Sequence, residues 1–447
     1  MESFSVYMKT LLEKIRNSLD DDLSIDEVRF IISKTNEYFF TYKEQLGQTF
    51  ILDEYYEYFS EFHKFWEKYH RKILNPSIDE NNCEQVANVL KKLYESENGQ
   101  KLFYELYDTK NLKPEEICQI RYFSANQDFR GSRDFEDLFL IYSSDPTIFD
   151  KQKIYDNPED FLKSIGITSL SQNDKRVKYA KTAAEILIKL NIDAFNLFEH
   201  FESDIFKIRN FLITDNRGSG FGNKKTDMFL RDMVVLGVWK NPKNFEKIDV
   251  ASDINTIKVA LRTRILKTEI PLISSFMDIF CYQYSLIDEM NALAWRKVWE
   301  IWKNKYPESC IESPCLMDYF IYRIIGREFC KESLCIFECE AEKHAFRWHS
   351  SRNRTCQICK KSKATIIKKV LPCTDSEGYI AIQKNVFVTG NDAIFPNVNE
   401  CPFVVVCNPK SENFKKLNPP KSISILGQTG WESARTKAEE GGGGLMS

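Results

Sequence analysis

Apolar residues recur at intervals of three and four from Met1 to about Tyr155, as at Phe30, Ile31, Tyr38 and Phe39 and again at Tyr56, Phe59, Phe62 and Phe65. That is the spacing of one helix face, and it predicts a helical N-terminal region over 1–155. A break at Asp156-Asn157-Pro158 follows. Beyond it the helical period resumes, clearest from Lys175 to Leu190, then from Asp193 to Arg209, and again in a block from Ile254 to Ile301. No alternation of strands with helices emerges, so a doubly wound parallel sheet is not expected. From Tyr379 to Val388 and from Phe403 to Cys407 the chain is rich in Val, Ile and Phe between Gly, Asn and Pro, which predicts short strands over 371–429. The last stretch, 430–447, has few apolar residues and no period and is expected to be disordered.

The chain has 447 residues, enough for two or three domains and a sizeable core. No apolar run reaches the roughly 18 residues of a membrane helix. The polar Met1–Leu12 stretch lacks the apolar core of a signal peptide, so a cytoplasmic location, or a nuclear one in a eukaryote, is expected. In a reducing compartment the thirteen cysteines point to metal ligation or buried thiols rather than disulfides. Net charge is −3, which excludes a protein that coats nucleic acid by bulk charge. Locally the picture differs: residues 1–60 carry six basic and twelve acidic side chains, whereas Lys343 to Lys369 carries nine basic and no acidic ones, with Phe346 and Trp348 interleaved. The second segment suits a phosphate-tracking surface.

Two segments bear the chemistry. Gly220-Phe221-Gly222-Asn223-Lys224-Lys225-Thr226 is a glycine turn opening a helix, whose backbone can approach a partner closely and whose first amides favour a phosphate. Ser252-Asp253-Ile254-Asn255-Thr256 puts a carboxylate at the front of a helix with apolar and basic faces; by residue type alone Asp253 is a helix cap.

Together these segments resemble the helix-hairpin-helix DNA glycosylase superfamily, which includes endonuclease III and the 8-oxoguanine glycosylases. The resemblance covers about residues 160–340. It implies a mainly α fold in which 156–329 form the glycosylase core, with Gly220, Gly222, Asn223 and Lys225 on double-stranded DNA, Lys224 as nucleophile and Asp253 as catalytic carboxylate. Leu170-Ser171-Gln172 is similar to a segment of that family in which the glutamine, here Gln172, lies against the DNA at the extruded base. Gly326-Arg327-Glu328-Phe329-Cys330, followed by Cys335 and Cys339, resembles the opening of the iron–sulfur loop in endonuclease III. Asn255 replaces the family's usual histidine, and Arg217-Gly218-Ser219 replaces its leucine-proline entry. Lys225 offers a competing alignment for the nucleophile. The implied activity is excision of a damaged or modified base, with AP-lyase cleavage through a lysine Schiff base; the open alternatives are a monofunctional glycosylase acting on modified phage DNA in defence, and a non-catalytic DNA-binding protein.

That chemistry accounts for the residue types. Extruding a nucleotide costs a few kcal/mol of stacking, which phosphate contacts offset. A fixed carboxylate stabilises oxocarbenium-like charge on the sugar. A lysine amine attacking the sugar must be partly neutral, which burial and a second lysine favour. Finally, Cys356-Gln357-Ile358-Cys359 has the spacing of a zinc knuckle. Cys335 and Cys339 are the expected partners, giving a four-thiolate site over 330–370; Cys330, His344 and His349 are within reach in sequence, and a four-iron cluster is the alternative.

Overall fold

The computed structural model describes residues 71–109, 111–127, 135–167, 173–215, 218–269, 285–330, 334–343, 345–348, 354–356, 359, 361–370 and 401–407, with a few isolated positions before residue 31. In chain order the principal elements are strand β1 (Ser77–Ile78), helices α1 (Glu80–Glu95), α2 (Pro114–Ala125), α3 (Phe135–Ser144), α4 (Lys151–Asp156), α5 (Pro158–Ser164), α6 (Asn173–Leu190), α7 (Ile205–Asn210), α8 (Asn223–Val235) and α9 (Ile254–Arg262), strand β2 (Leu266–Lys267), helix α10 (Ser285–Lys305), and strands β3 (Leu334–Cys339), β4 (Ala345–Trp348), β5 (Arg354–Thr355) and β6 (Lys363–Val370). Among the described residues the fold is mostly helical, with two small antiparallel sheets. No described helix is long and apolar enough to cross a membrane.

The chain divides into two compact units. One comprises residues 1–83, 257–294 and 403–447; the other comprises 84–256 and 295–402. Residues 84–155 and 156–256 fall in the same unit. In the first unit β1 pairs with β2, Ser77 opposite Lys267 and Ile78 opposite Leu266, and Lys267 forms an ion pair with Asp79.

In the second unit the helices gather round an aromatic and alanine core. On α6 the buried residues Ala180, Ala183, Ala184 and Leu187 repeat at three and four, which lets neighbouring helices approach closely. Pro114 opens α2, and the Lys113 amide donates to the Glu116 carboxylate at 2.7 Å, so the helix start is capped from within. Helix α2 packs on α8, where Tyr122 meets Phe221 and Phe229 at ring-centre distances of 5.2 and 5.9 Å.

A buried charge network also joins α2 to α8. Asp232 accepts from Arg121 Nε at 2.9 Å, Arg231 Nε at 2.9 Å and Tyr107 Oη at 2.8 Å, and Arg231 also pairs with Asp318. Burial opposes the charged form of Asp232, yet the two guanidiniums and the Tyr107 hydroxyl outweigh it and hold the carboxyl below its ordinary value.

The C-terminal region contains strands, and its described ones lie upstream of the segments read as strands from sequence. The cysteine-rich segment itself forms a four-stranded antiparallel sheet in the order β4-β3-β6-β5. Val404–Cys407, expected in a strand, is instead one helical turn, closed by the Cys407 amide on the Phe403 carbonyl at 2.8 Å. A β-branched run needs a pairing strand to express its preference, and here Phe403 is buried while Val405 is exposed. Tyr379–Val388 and the tail from residue 430 lie outside the described residues.

Candidate functional site

The glycine turn is built as its sequence demands. Gly218 and Gly220 have φ of +100° and +80°, which disfavour any side chain. A Cβ on Gly220 would stand 2.7 Å from the Tyr179 ring and 3.1 Å from the Asn126 carbonyl oxygen, so the turn is pressed onto α6 and the end of α2. Phe221, buried against Tyr122, anchors it. Gly222, by contrast, is exposed and a Cβ there would meet nothing within 4 Å. Gly222 is also the N-cap of α8 and offers no side-chain cap, so the helix opens at an exposed stretch of backbone.

The two lysines are held differently. Lys225 is half-buried; its Nζ donates to the Asn126 carbonyl oxygen at 2.9 Å and stands 5.5 Å from the centre of the Tyr179 ring. Lys224 is exposed, so the burial expected for a nucleophilic lysine is not there. Successive helix positions turn by about 100°, and only one of the pair can face the α2–α6 side.

Asn223, also exposed, accepts from Arg209 Nη2 at 3.3 Å. The same guanidinium grips Asp227, one turn further along α8, through Nε at 2.5 Å and Nη2 at 3.0 Å. Burial pushes the Asp227 carboxyl up to about 6, and Arg209 offsets only part of this. Sequence reasoning missed Asn126, Tyr179, Arg209 and Asp227. The only signal was a charged residue on the apolar side of α8, which a helical period cannot pair with a partner eighteen residues away.

Asp253 is the cap of α9. Its Oδ1 accepts from the Asn255 and Thr256 amides at 2.9 and 2.8 Å, and its Oδ2 accepts from Asn255 Nδ2 at 3.1 Å. The Thr256 hydroxyl returns the favour, accepting from the Asp253 amide at 2.9 Å and donating to the Asp253 carbonyl oxygen at 3.0 Å. The carboxylate is half-buried and fixed in one orientation. The structure thus brings Gly220 and Lys225 together around Asn126 and Tyr179, and sets Asp253 on a separate helix start. Gln172 lies outside the described residues; α6, which begins one residue later, supplies Lys178 and Tyr179 against Gly218 and Gly220.

In the small sheet, the Sγ atoms of Cys339, Cys356 and Cys359 all lie within 4.8 Å of one another. Cys339 ends β3, and Cys356 and Cys359 form the turn between β5 and β6. That turn is closed by the Cys356 amide on the Ser362 carbonyl oxygen at 2.8 Å. The Lys361 amide, the Ser362 hydroxyl and the Ser362 amide lower the Cys359 thiol to about 6. The Ser362 hydroxyl and the Glu342 amide lower that of Cys339. Donors aimed at sulfur favour thiolates, and thiolates at this spacing fit a metal ion.

Cys335 is not in the group. It stands four residues from Cys339 along β3, about 13 Å at strand rise, too far for one tetrahedral ion. Cys330 is buried at the end of a π-helical stretch, Phe320–Phe329, so the iron–sulfur opening expected at Gly326–Cys330 is helix rather than loop. His344 and His349 lie outside the described residues. Comparison of the chain with known protein families, with curated proteins and with solved structures finds no match.

Proposed function

We propose that this protein acts on double-stranded DNA as an N-glycosylase, with the Gly218–Thr226 turn on the phosphate backbone and Asp253 as the carboxylate at the sugar. The observation that carries the reading is the Asp253 cap: both oxygens are held by donors, so a negative charge is fixed in place, the arrangement needed to stabilise developing positive charge without reorganisation. The open surface at Gly222, where backbone can meet phosphate, supports it.

The exposure of Lys224 favours the monofunctional form, in which Asp253 activates water, over a Schiff-base route through Lys224. A zinc ion on Cys339, Cys356 and Cys359 would stiffen the small sheet, much of which is built from the Lys343–Lys369 segment whose nine basic side chains are proposed to track a second stretch of backbone. The test is single-turnover base release from a panel of duplexes carrying uracil, 8-oxoguanine, 3-methyladenine, thymine glycol or hypermodified pyrimidines, with borohydride trapping run alongside. Release without a trapped complex is expected. Tight duplex binding with no release from any of them would favour a protein that only holds DNA.

A further inference from the structure

Gly326 lies against the first turn of α9. A Cβ on it would stand 2.6 Å from Asn255 Cβ, closer than real Cβ atoms come, and 3.2 and 3.3 Å from the carbonyl oxygens of Ile321 and Asn255. Two of these three neighbours are backbone, and the third is the root of a side chain, so nothing can swing aside. The stretch that carries Gly326 is itself anchored: Phe320, Ile321, Ile325 and Phe329 are all buried. Gly326 is therefore a site of enforced close approach, with the Cα of one helix seated on the side of Asn255.

Asn255 is also the residue that addresses both carboxylate oxygens of Asp253, through its amide at 2.9 Å and its Nδ2 at 3.1 Å. Resting on the reading of Asp253 as the catalytic carboxylate, we propose that Gly326 and Asn255 form a positioning pair: Gly326 sets where Asn255 sits, and Asn255 sets the direction of the Asp253 Oδ2. The glycine that in sequence resembled the start of an iron–sulfur loop thus has a different task. The charge-assisted bond from Nδ2 holds the carboxylate rotamer, and a carboxylate displaced by a fraction of an ångström loses electrostatic leverage at the reacting carbon.

The full-length protein tests this in two ways. Amide hydrogen exchange of residues 255 and 256 reads the cap without any substrate. Gly326→Ala is expected to speed it by about tenfold or more, with exchange in the Asn223–Val235 helix unchanged, and the double variant Gly326→Ala/Asn255→Gly, which removes the clashing Cβ, is expected to return to the level of Asn255→Gly alone. Asn255→Ala keeps the Cβ that Gly326 packs on and so should fold if Gly326→Ala does not. It is expected to lower single-turnover base release by about tenfold while the Kd for the same duplex stays within twofold. Exchange at 255 and 256 unchanged in Gly326→Ala, or an Asn255→Ala protein with full release rate, would overturn the proposal. A wild-type protein that releases no base from the panel would end the glycosylase reading alone, and exchange would still decide whether the pair holds the cap.

Discussion

The Lys225 ammonium donates to the carbonyl oxygen of Asn126 at 2.9 Å, while its neighbour Lys224 stays exposed. That bond ties the helix after the glycine turn to the end of the Pro114–Ala125 helix. Lys225 is thereby committed to holding the turn; under the proposed function, the exposed Lys224 is the lysine that would meet DNA.

Lys225→Gln is therefore expected to destabilise the fold by about 1–2 kcal/mol, since it removes a charged hydrogen bond and leaves the Asn126 carbonyl unserved. Lys224→Gln is expected to leave stability unchanged and to weaken duplex binding with a shallower salt dependence. Urea melts and anisotropy at two salt concentrations separate the two. A stable Lys225→Gln protein with weakened binding would reverse the assignment.

Gly220 and Gly222 in the turn should behave oppositely. Gly220→Ala combines a left-handed backbone with a Cβ 2.7 Å from the Tyr179 ring and is expected to cost about 1–3 kcal/mol. Gly222→Ala meets nothing within 4 Å and is expected to be tolerated in thermal melts, losing only duplex affinity where the backbone must approach phosphate. Equal melting temperatures for the two variants would contradict the turn geometry.

Removing the carboxylate of Asp232 leaves two buried guanidiniums facing each other. Asp232→Ala is expected to lose about 3–5 kcal/mol, with the protein largely unfolded at 37 °C. Circular dichroism on melting gives the answer; a loss below about 1 kcal/mol would mean the network is not closed in solution.

Asp227 adds a pH dependence of definite sign. Its folded-state carboxyl lies at about 6, above the ordinary value of 3.8, so the folded protein holds a proton that the unfolded chain has released between pH about 4 and 6. Over that window the contribution of Asp227 to stability falls as pH rises, then levels off above it. The stability difference between wild type and Asp227→Asn is expected to shift toward the variant from pH 4.5 to pH 7. Denaturant melts at both values read it, and a shift toward wild type would contradict the burial argument.

Single substitutions to serine sort the cysteines. Cys339→Ser, Cys356→Ser and Cys359→Ser are expected to lose bound metal by elemental analysis, and Cys335→Ser to retain it. Metal lost in Cys335→Ser as well as in the other three variants would restore the sequence-based ligand set.

What the sequence disclosed was local. The period of Lys175–Leu190, the glycine turn, the cap at Asp253 and the Cys356–Cys359 knuckle each rest on residues within one turn of one another, where backbone sterics and hydrogen bonding decide the outcome. What it concealed was distant: the Arg209 grip on Asp227, the Arg121–Asp232 network across 111 residues, and the seat of Gly326 against Asn255. The strand expected at Phe403–Cys407 failed for the same reason. Leu334–Cys339 and Lys363–Val370 are strands because they pair with each other, and Phe403–Cys407, as β-prone by composition, turns helically without a partner.

The most direct measurement is base release by Asp253→Asn, run on whichever duplex of the panel the wild type processes and paired with the Kd for that duplex. Asparagine can keep the cap's accepting oxygen, so the fold and the affinity are expected to persist, while release falls by a factor of about a hundred or more because no charge remains to stabilise the sugar cation. Release within threefold of wild type, at unchanged affinity, would contradict the account and leave Asp253 a helix cap alone.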